Sequence, residues 1–292
     1  MIGNVVSHYR VVGRLGMGGM GVVYDAEDQR LSRKVALKFL SDELANDPDS
    51  RRRLQREATI LARLNHPNIC TIYEISEHEG RPFLVMERLE GTNLKLHIAR
   101  KTLDTAEVVD IAVQIATALE AAHQQGIVHR DIKPGNVFIS TSSPVKVLDF
   151  GMARSVSPDD SKGRDGSTIP GRPIGTANYM APERILQMPL DARCDLFSLG
   201  VVIYEMATGR LPFAGATPSE TVHNILDHPA TPLIELAPKH PASLQAVFAR
   251  LTEKRADERY SSARETIDAL AAVSDARGWN RLRKRLFPAK PS

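Results

Sequence analysis

The chain has 292 residues, of which 42% are hydrophobic and 25% are charged, close to the averages of globular domains. This composition excludes a mainly disordered chain, a collagen and a disulfide scaffold, and the net charge of +3 is too small to indicate nucleic-acid binding. No window approaches a membrane span in length, and the N-terminus lacks the pattern of a secretory signal, so neither feature is predicted. Two distant cysteines, Cys70 and Cys194, predict free thiols in a reducing cytoplasm.

The N-terminal third of the chain has the pattern of strands with one helix. Short apolar runs bounded by glycine or polar residues predict strands at residues 9–16, 21–28, 34–40, 69–75 and 83–87. Residues 48–64 are predicted to form a helix, because Leu54, Ala58, Leu61 and Leu64 share one face and Pro48 suits a helix start. A turn-like segment, residues 89–93, follows as a plausible hinge.

Beyond this segment the apolar spacing becomes helical. Helices are predicted at residues 104–125, where Gly126 ends the run, and at 195–208, 241–251 and 261–273. Residues 137–140 and 145–149 are predicted to pair as a hairpin, and residues 152–180 lack an apolar period and are predicted to be a functional loop. The expected organisation is a small β-rich lobe (residues 1–88), a larger helical lobe (89–275) and a basic tail (276–292).

A glycine-rich segment, Gly16-Met17-Gly18-Gly19-Met20-Gly21, separates the first two predicted strands. A dinucleotide-binding fingerprint needs a helix after such a segment, and here a β-branched run follows, so a Rossmann dehydrogenase is excluded. A strand–loop–strand of this kind can bring backbone N–H groups close to phosphates, because glycine has no Cβ. Taken alone, the segment is equally compatible with a plain glycine-rich hairpin.

The third predicted strand ends in Val35-Ala36-Leu37-Lys38, and the helix after it contains Glu57. By itself, a lysine in this position more commonly extends its amine into solvent. A lysine held by a helix glutamate, however, can present a fixed ammonium group to the α- and β-phosphates of a nucleotide.

Two further motifs specify more positions. His129-Arg130-Asp131-Ile132-Lys133-Pro134-Gly135-Asn136 precedes the predicted hairpin, and Asp149-Phe150-Gly151 ends it.

Taken together, the four motifs resemble the signature set of the eukaryotic-like serine/threonine protein kinases, over about residues 9–270. The motifs HRDIKPGN and GTANYMAPE are similar to those of the bacterial branch. The resemblance implies an α+β, bilobal protein kinase fold, with a small antiparallel β-sheet lobe carrying one regulatory helix and a larger helical lobe. It also implies ATP, Mg²⁺ (with Mn²⁺ as an alternative) and protein substrates with serine or threonine acceptors.

The resemblance assigns a role to each matching position. Asp131 is the catalytic aspartate, Lys133 reaches the γ-phosphate and marks serine/threonine specificity, and Glu57 holds Lys38. Asn136 and Asp149 bind the metal. The nucleotide is expected to contact Leu15, Gly16, Gly18, Gly21, Val23, Ala36, Lys38, Met86 and Phe138, with its purine edge on the backbone of Glu87 and Leu89.

The resemblance also implies regulation and structural support. Arg130 is expected to bind a phosphate on the activation loop, with Thr168 as the phosphorylated residue, while the Thr176 hydroxyl reaches Asp131 and Lys133. Glu183 is expected to pair with Arg259, and Asp195 to brace the backbone of the catalytic loop. His129 and Phe150 match part of an apolar spine.

Two alternative functions remain open at this point. A pseudokinase scaffold would bind partners without turnover, and a small-molecule phosphotransferase would share the metal site but has no need of the APE and GT motifs.

In the tail, Trp279, Leu282 and Leu286 share a helical face in a stretch that is otherwise basic, which predicts either packing on the large lobe or weak contact with an anionic membrane. A homodimer through the small lobe is a further expectation from the resemblance.

Overall fold

The computed structural model describes residues 1–18, 21–41, 64–140, 144–150 and 174–273, with only the backbone described for 174–176. The chain divides into two compact units, one made of Met1–Gly91 with Ser140, and the other of Thr92–Ile139 and the described residues from Pro144 onward. The predicted helix at 48–64 lies outside the described residues except for its last residue, Leu64.

The first unit is built on a six-stranded antiparallel sheet. Its strands are β1 (Val5–Val6), β2 (Tyr9–Gly18), β3 (Gly21–Asp28), β4 (Arg33–Leu40), β5 (Ile72–His78) and β6 (Arg81–Glu87), in the spatial order β1-β2-β3-β4-β6-β5. All five predicted strands are therefore confirmed, and β1 is an addition too short for a sequence pattern to reveal.

Alternation along the strands separates two faces of this sheet. One face carries the buried core of the unit, which contains Val6, Tyr9, Val11, Ala26, Val35, Leu37, Phe39, Phe83 and Val85. Because successive side chains point to opposite faces, the residues between them, such as Ala36 and Lys38 on β4, lie on the other face. Four of the predicted nucleotide residues, Val23, Ala36, Lys38 and Met86, lie on that second face.

The second unit is mainly helical. Its helices are α1 (Leu94–Arg100), α2 (Thr105–His123), α3 (Pro182–Ile185), α4 (Arg193–Thr208), α5 (Pro218–Asp227), α6 (Leu233–Leu236), α7 (Ala242–Leu251) and α8 (Ala263–Val273). Single 3₁₀ turns occupy Pro134–Asn136 and Ala256–Glu258, and a longer one covers Ile174–Tyr179. The four helices predicted for this region are confirmed as α2, α4, α7 and α8.

Helices α2 and α4 form the centre of this unit. A reciprocal capping box fixes the start of α2, since the Asp104 carboxylate accepts from the N–H of Glu107 and the Glu107 carboxylate accepts from the N–H of Asp104. Most of α4 is buried, and it ends at Gly209, whose φ of 71° suits glycine at a helix C-terminus. Helix α8 packs along α2 and helix α7 packs on α4.

Three short strands form a second sheet, and two of them follow the loop that contains Asp131. Strands β8 (Val137–Ser140) and β9 (Lys146–Val147) pair antiparallel as predicted, and β7 (Gly91–Asn93) adds a third strand beside β8. The segment interpreted as a turn at 89–93 therefore ends in a strand. Its last residue, Asn93, is also the N-cap of α1, because its side chain accepts a hydrogen bond from the N–H of Leu96.

Candidate active site

The loop that contains Asp131 is held by one buried carboxylate. Asp195, in the first turn of α4, accepts hydrogen bonds from the backbone N–H groups of His129 (2.8 Å) and Arg130 (2.7 Å). Its Oδ2 also lies 2.9 Å from His123 Nε2, at the end of α2. Burial acts to raise the pKa of Asp195, but the His123 hydrogen bond, the neighbouring histidine rings and the N–H of Arg130 outweigh it and hold the pKa below its usual range. The prediction that Asp195 braces this loop is confirmed.

The brace stabilises a backbone conformation that is costly without support. Arg130 has a φ of 67° and Asp149 a φ of 59°, both in the left-handed region that non-glycine residues rarely adopt. Such a conformation costs about 1–3 kcal/mol and persists only where the surroundings impose it. The two hydrogen bonds to Asp195 supply that constraint at Arg130.

Asp131 is buried and has two side-chain partners on the same loop. Lys133 Nζ lies 2.7 Å from Asp131 Oδ2, and Asn136 Nδ2 donates to the same oxygen at 2.9 Å and to the Asp131 carbonyl at 2.8 Å. Both side-chain bonds end on Oδ2, so among the described residues no hydrogen bond reaches Oδ1. The carboxylate is thus oriented by two donors and keeps one oxygen for an external proton donor.

A backbone hydrogen bond joins the segments that contain Asn136 and Asp149, and the His129 ring contacts the second of them. The N–H of Leu148 donates to the Asn136 carbonyl at 2.8 Å, and His129 Nε2 lies 2.9 Å from the Leu148 carbonyl. Since the Asn136 amide nitrogen is used by Asp131, the Asn136 side chain can offer only its Oδ1 to a cation. Within the described ranges no group of three histidine, cysteine or acidic side chains could hold a metal by itself. Two oxygen ligands with the remainder supplied by water and phosphate is a set that fits Mg²⁺.

In the first unit, four predicted nucleotide residues share one face of the sheet. Val23 on β3 is paired with Lys38 on β4, and Ala36 on β4 is paired with Met86 on β6. Alternation places all four opposite the apolar core. Lys38 is buried, with 5% of its surface exposed, which argues against the simple solvent-directed lysine. Its predicted partner, Glu57, lies outside the described residues.

The glycine-rich segment joins β2 to β3 as a hairpin, with Gly18 opposite Gly21, which confirms that strands flank it. Gly21 has a φ of 135°, and a Cβ there would lie 1.8 Å from the Phe39 carbonyl oxygen, so this glycine is required by packing against β4. Gly16 and Gly18 have no described atom within 4 Å of a built Cβ. Among the described residues, nothing therefore blocks the approach of a ligand to the backbone at these two glycines.

The chain leaves the sheet directly after β6. The N–H of Glu87 donates to the Thr71 carbonyl at 3.0 Å, and the Glu87 carboxylate accepts from the N–H of Thr71 at 2.7 Å. Leu89 follows, and its carbonyl accepts from Arg88 Nη1 at 3.0 Å. Leu15 is 45% exposed on β2, and Phe138 is half-buried on β8 of the second unit.

Several supporting contacts of the second unit match their predictions. Glu183 and Arg259 form a buried bidentate pair with distances of 2.7 and 2.8 Å, and the rings of His129 and Phe150 lie 4.5 Å apart. Arg130 Nε is buried and has no hydrogen-bond partner among the described residues. An unpartnered guanidinium nitrogen is what a site for an anion would need.

Other predicted residues cannot be placed. Thr168, the side chain of Thr176 and the tail with Trp279 lie outside the described residues. Two residues with contacts at the site were not among the predicted ones. His123 lies in the last turn of a predicted helix, which is the signal that the sequence offers for it, and no sequence pattern indicates the contacts of Arg88.

Comparisons with known proteins agree with this geometry. Residues 9–270 match the protein kinase domain family. A probable serine/threonine-protein kinase of Clostridium acetobutylicum is 36% identical over 94% of this chain and 41% of its own length. A probable serine/threonine-protein kinase, PknB of Corynebacterium glutamicum, is 35% identical over 92% of this chain and 43% of its own length. The chain thus spans about two fifths of these curated relatives.

The fold is also found among solved structures. The crystal structure of the PknI kinase domain of Mycobacterium tuberculosis matches with a TM-score of 0.73 and 28% identity, over 94% of this chain and 99% of that chain. No helix in the described part of the chain is long and apolar enough to cross a membrane.

Proposed function

Because the chain belongs to the protein kinase domain family, we propose that it transfers the γ-phosphoryl group of ATP to serine or threonine hydroxyls of protein substrates. The observation that carries the proposal is the arrangement around Asp131. Its carboxylate is oriented by Lys133 and Asn136 through one oxygen, and no hydrogen bond from the described part of the chain reaches the other oxygen. Phosphoryl transfer depends mainly on such positioning and on charge neutralisation.

In the proposed reaction, Asp131 Oδ1 accepts the proton of the substrate hydroxyl as its oxygen forms a bond to the γ-phosphorus. The bond between the γ-phosphorus and the bridging oxygen breaks, and ADP leaves with the electron pair of that bond. Lys133 is close enough to Asp131 to neutralise charge on the transferred group, since its ammonium group lies 2.7 Å from the carboxylate. Asn136 and Asp149 would hold Mg²⁺, or Mn²⁺ as an alternative, which when bound neutralises phosphate charge.

The first unit is proposed to bind the nucleotide. Lys38 would contact the α- and β-phosphates with Glu57 as its partner, and the backbone at Gly16, Gly18 and Gly21 would cover them. The adenine would lie among Leu15, Val23, Ala36, Met86 and Phe138, with its edge on the backbone of Glu87 and Leu89. The common face of Val23, Ala36, Lys38 and Met86 supports this assignment.

Regulation is proposed to use Arg130. A phosphate on Thr168, added by autophosphorylation, would supply about −1.5 to −2 charges to the unpartnered Nε. Thr176 would position the substrate-facing segment next to Asp131 and Lys133.

Mass spectrometry of the purified protein should find phosphate on Thr168. Thr168→Ala should lower activity, and Arg130→Ala combined with Thr168→Ala should be no worse than either change alone. Additive losses would contradict the coupling.

Three further expectations remain proposals. A cytoplasmic location agrees with Cys70 and Cys194 being thiols rather than members of a disulfide. Weak binding of the tail to anionic membranes predicts that vesicles rich in phosphatidylserine retain the protein at low salt, and that deleting residues 277–292 removes this binding. Homodimerisation through the small lobe, residues 1–88, predicts a dimer in analytical ultracentrifugation.

The proposed function is tested by Asp131→Asn. We expect phosphoryl transfer from radiolabelled ATP to fall by roughly 10²–10⁴-fold, because the general base is lost, while nucleotide binding persists. Lys38→Met should also lose activity, and Asp149→Asn should raise the Mg²⁺ requirement. A wild-type protein that binds ATP without turnover would instead support a pseudokinase scaffold. Activity of Asp131→Asn within threefold of wild type would contradict the assigned role.

A further inference from the structure

Arg88 connects the segment after β6 to the middle of β3. Its guanidinium faces the Asp25 carboxylate with two nitrogens, Nε at 3.3 Å from Oδ1 and Nη2 at 3.4 Å from Oδ2. Each side chain is 20% exposed, so the pair is largely removed from solvent. Two parallel N–H groups opposite two carboxylate oxygens fix both the distance and the orientation of the partners, which a lysine cannot do.

The same guanidinium also holds the backbone of the linker, the segment from Glu87 to Leu89. Arg88 Nη1 donates to the carbonyl of Leu89 at 3.0 Å. Its contact with Glu90 at 3.4 Å contributes less, because the Glu90 side chain is 64% exposed. On the other side of Arg88, Glu87 is already fixed by its two hydrogen bonds with Thr71. The peptide groups between Glu87 and Leu89 are therefore restrained from both ends.

Asp25 lies beside the proposed purine site. In the sheet register it is paired with Ala36 on β4, and Ala36 is paired with Met86 on β6. Residues paired across antiparallel strands point to the same face. Asp25 therefore anchors Arg88 on the face, and in the row, that carries two of the proposed adenine contacts.

We propose that Arg88 and Asp25 act as a positioning clamp that holds the linker backbone at Glu87 and Leu89 in the conformation that pairs with the purine edge. This inference rests on the proposed function, because it concerns the same nucleotide site. Both side chains are positioning residues, since they act through the linker backbone. Restraining a binding segment in its bound conformation increases affinity by reducing the entropy lost on binding.

The clamp is tested by the binding of N-methylanthraniloyl-ADP, measured by fluorescence, to the full chain. Arg88→Met keeps the apolar stem and removes all donors, and Arg88→Lys keeps the charge and removes the planar fork. We expect both to weaken binding by about threefold to tenfold, and to raise the KM for ATP more than they change kcat. Asp25→Asn combined with Arg88→Met should be no weaker than Arg88→Met alone.

Two controls separate the clamp from a loss of stability. Arg10→Ala removes an exposed ion pair between β2 and β3, Arg10 with Glu27, and should leave the affinity unchanged. Mg²⁺-tripolyphosphate has no purine, so its inhibition constant, calculated from displacement of the probe with the probe's own affinity for each protein, should be the same for wild type and Arg88→Met. A general disruption of the first unit would weaken the competition by both phosphate and nucleotide, and would overturn the proposal.

The outcome also distinguishes the clamp from the proposed function. If the wild type binds the probe and transfers phosphate while Arg88→Met binds within twofold of it, only the clamp is wrong. If the wild type binds no adenine nucleotide, the proposed function fails first.

Discussion

The two units hold their functional groups in different ways. In the first unit, Val23, Ala36, Lys38 and Met86 are placed by strand register, so each is fixed by a regular ladder of backbone hydrogen bonds. In the second unit, Asp131 and Asn136 lie on an irregular loop with a left-handed residue, and side chains must supply the hydrogen bonds that a ladder would provide. A loop of this kind depends on few interactions, so the loss of one acceptor has large consequences for it.

The largest effect is expected from removing the brace of the catalytic loop. Asp195→Ala leaves the N–H groups of His129 and Arg130 buried without an acceptor, and each such group costs about 1–3 kcal/mol. Misplacement of Asp131 should lower kcat by about 10²-fold or more. Steady-state kinetics and urea unfolding measure the two effects. Asp195→Asn keeps one acceptor oxygen, so its kcat and its free energy of unfolding should lie between those of wild type and Asp195→Ala. Equal kinetics for all three proteins would show that the loop keeps its conformation without Asp195.

The sheet offers the corresponding test in the first unit. Gly21→Ala should reduce the free energy of unfolding by about 1–3 kcal/mol, because the new Cβ meets the Phe39 carbonyl and the backbone has a positive φ. Gly18→Ala is the matched control, since a Cβ there has no described neighbour within 4 Å. Thermal denaturation should separate the two variants clearly. A similar loss of stability in both variants would mean that the close contact of Gly21 with β4 does not determine the cost of the substitution.

A smaller effect is expected when only one donor to Asp195, the His123 ring, is removed. His123→Phe retains the shape of the ring and removes its hydrogen bond, while both backbone donors remain. We expect a loss of about 1–2 kcal/mol in unfolding free energy and a smaller decrease in kcat than in Asp195→Asn. A kcat below that of Asp195→Ala would contradict this order and would give His123 a role beyond the brace.

The smallest effect is a difference in response to acid. His240 is buried in the second unit, where Nδ1 lies 2.9 Å from Thr105 Oγ1, and burial lowers its pKa below the ordinary value of 6.5. A histidine whose pKa is lower in the folded state favours folding fully above pH 6.5, and this contribution is lost as the pH falls below it. Asp28 in the first unit also has a lowered pKa, held by the N–H groups of Leu31 and Arg30 against the effect of burial. Its contribution persists until the pH falls below about 3.8, the ordinary aspartate value.

The melting temperature of the wild type should therefore fall between pH 7 and pH 5, and that of His240→Gln should change less over the same range. Asp28→Asn should leave this difference unaltered, because aspartate titrates at lower pH. Identical pH profiles for wild type and His240→Gln would rule out His240 as the source.

The sequence by itself determined much of this protein. Short apolar runs bounded by glycine or polar residues indicated β2 to β6, and helical spacing indicated α2, α4, α7 and α8, because the period of a helix follows directly from its backbone geometry. The spacing of residues within one short loop also placed Asp131, Lys133 and Asn136 close together, since residues two and five positions apart are within reach of each other.

Only the tertiary structure decided which distant side chains meet where no motif relates them. Nothing in the local pattern relates Asp25 to Arg88, because their contact depends on the register of β3 with β4 and of β4 with β6. In the same way, the meeting of His123 and Asp195 depends on how α2 packs against α4. Short elements such as β1 and α6 could not be predicted from the sequence, because two to four residues show no period. Such elements are stabilised by packing rather than by propensity.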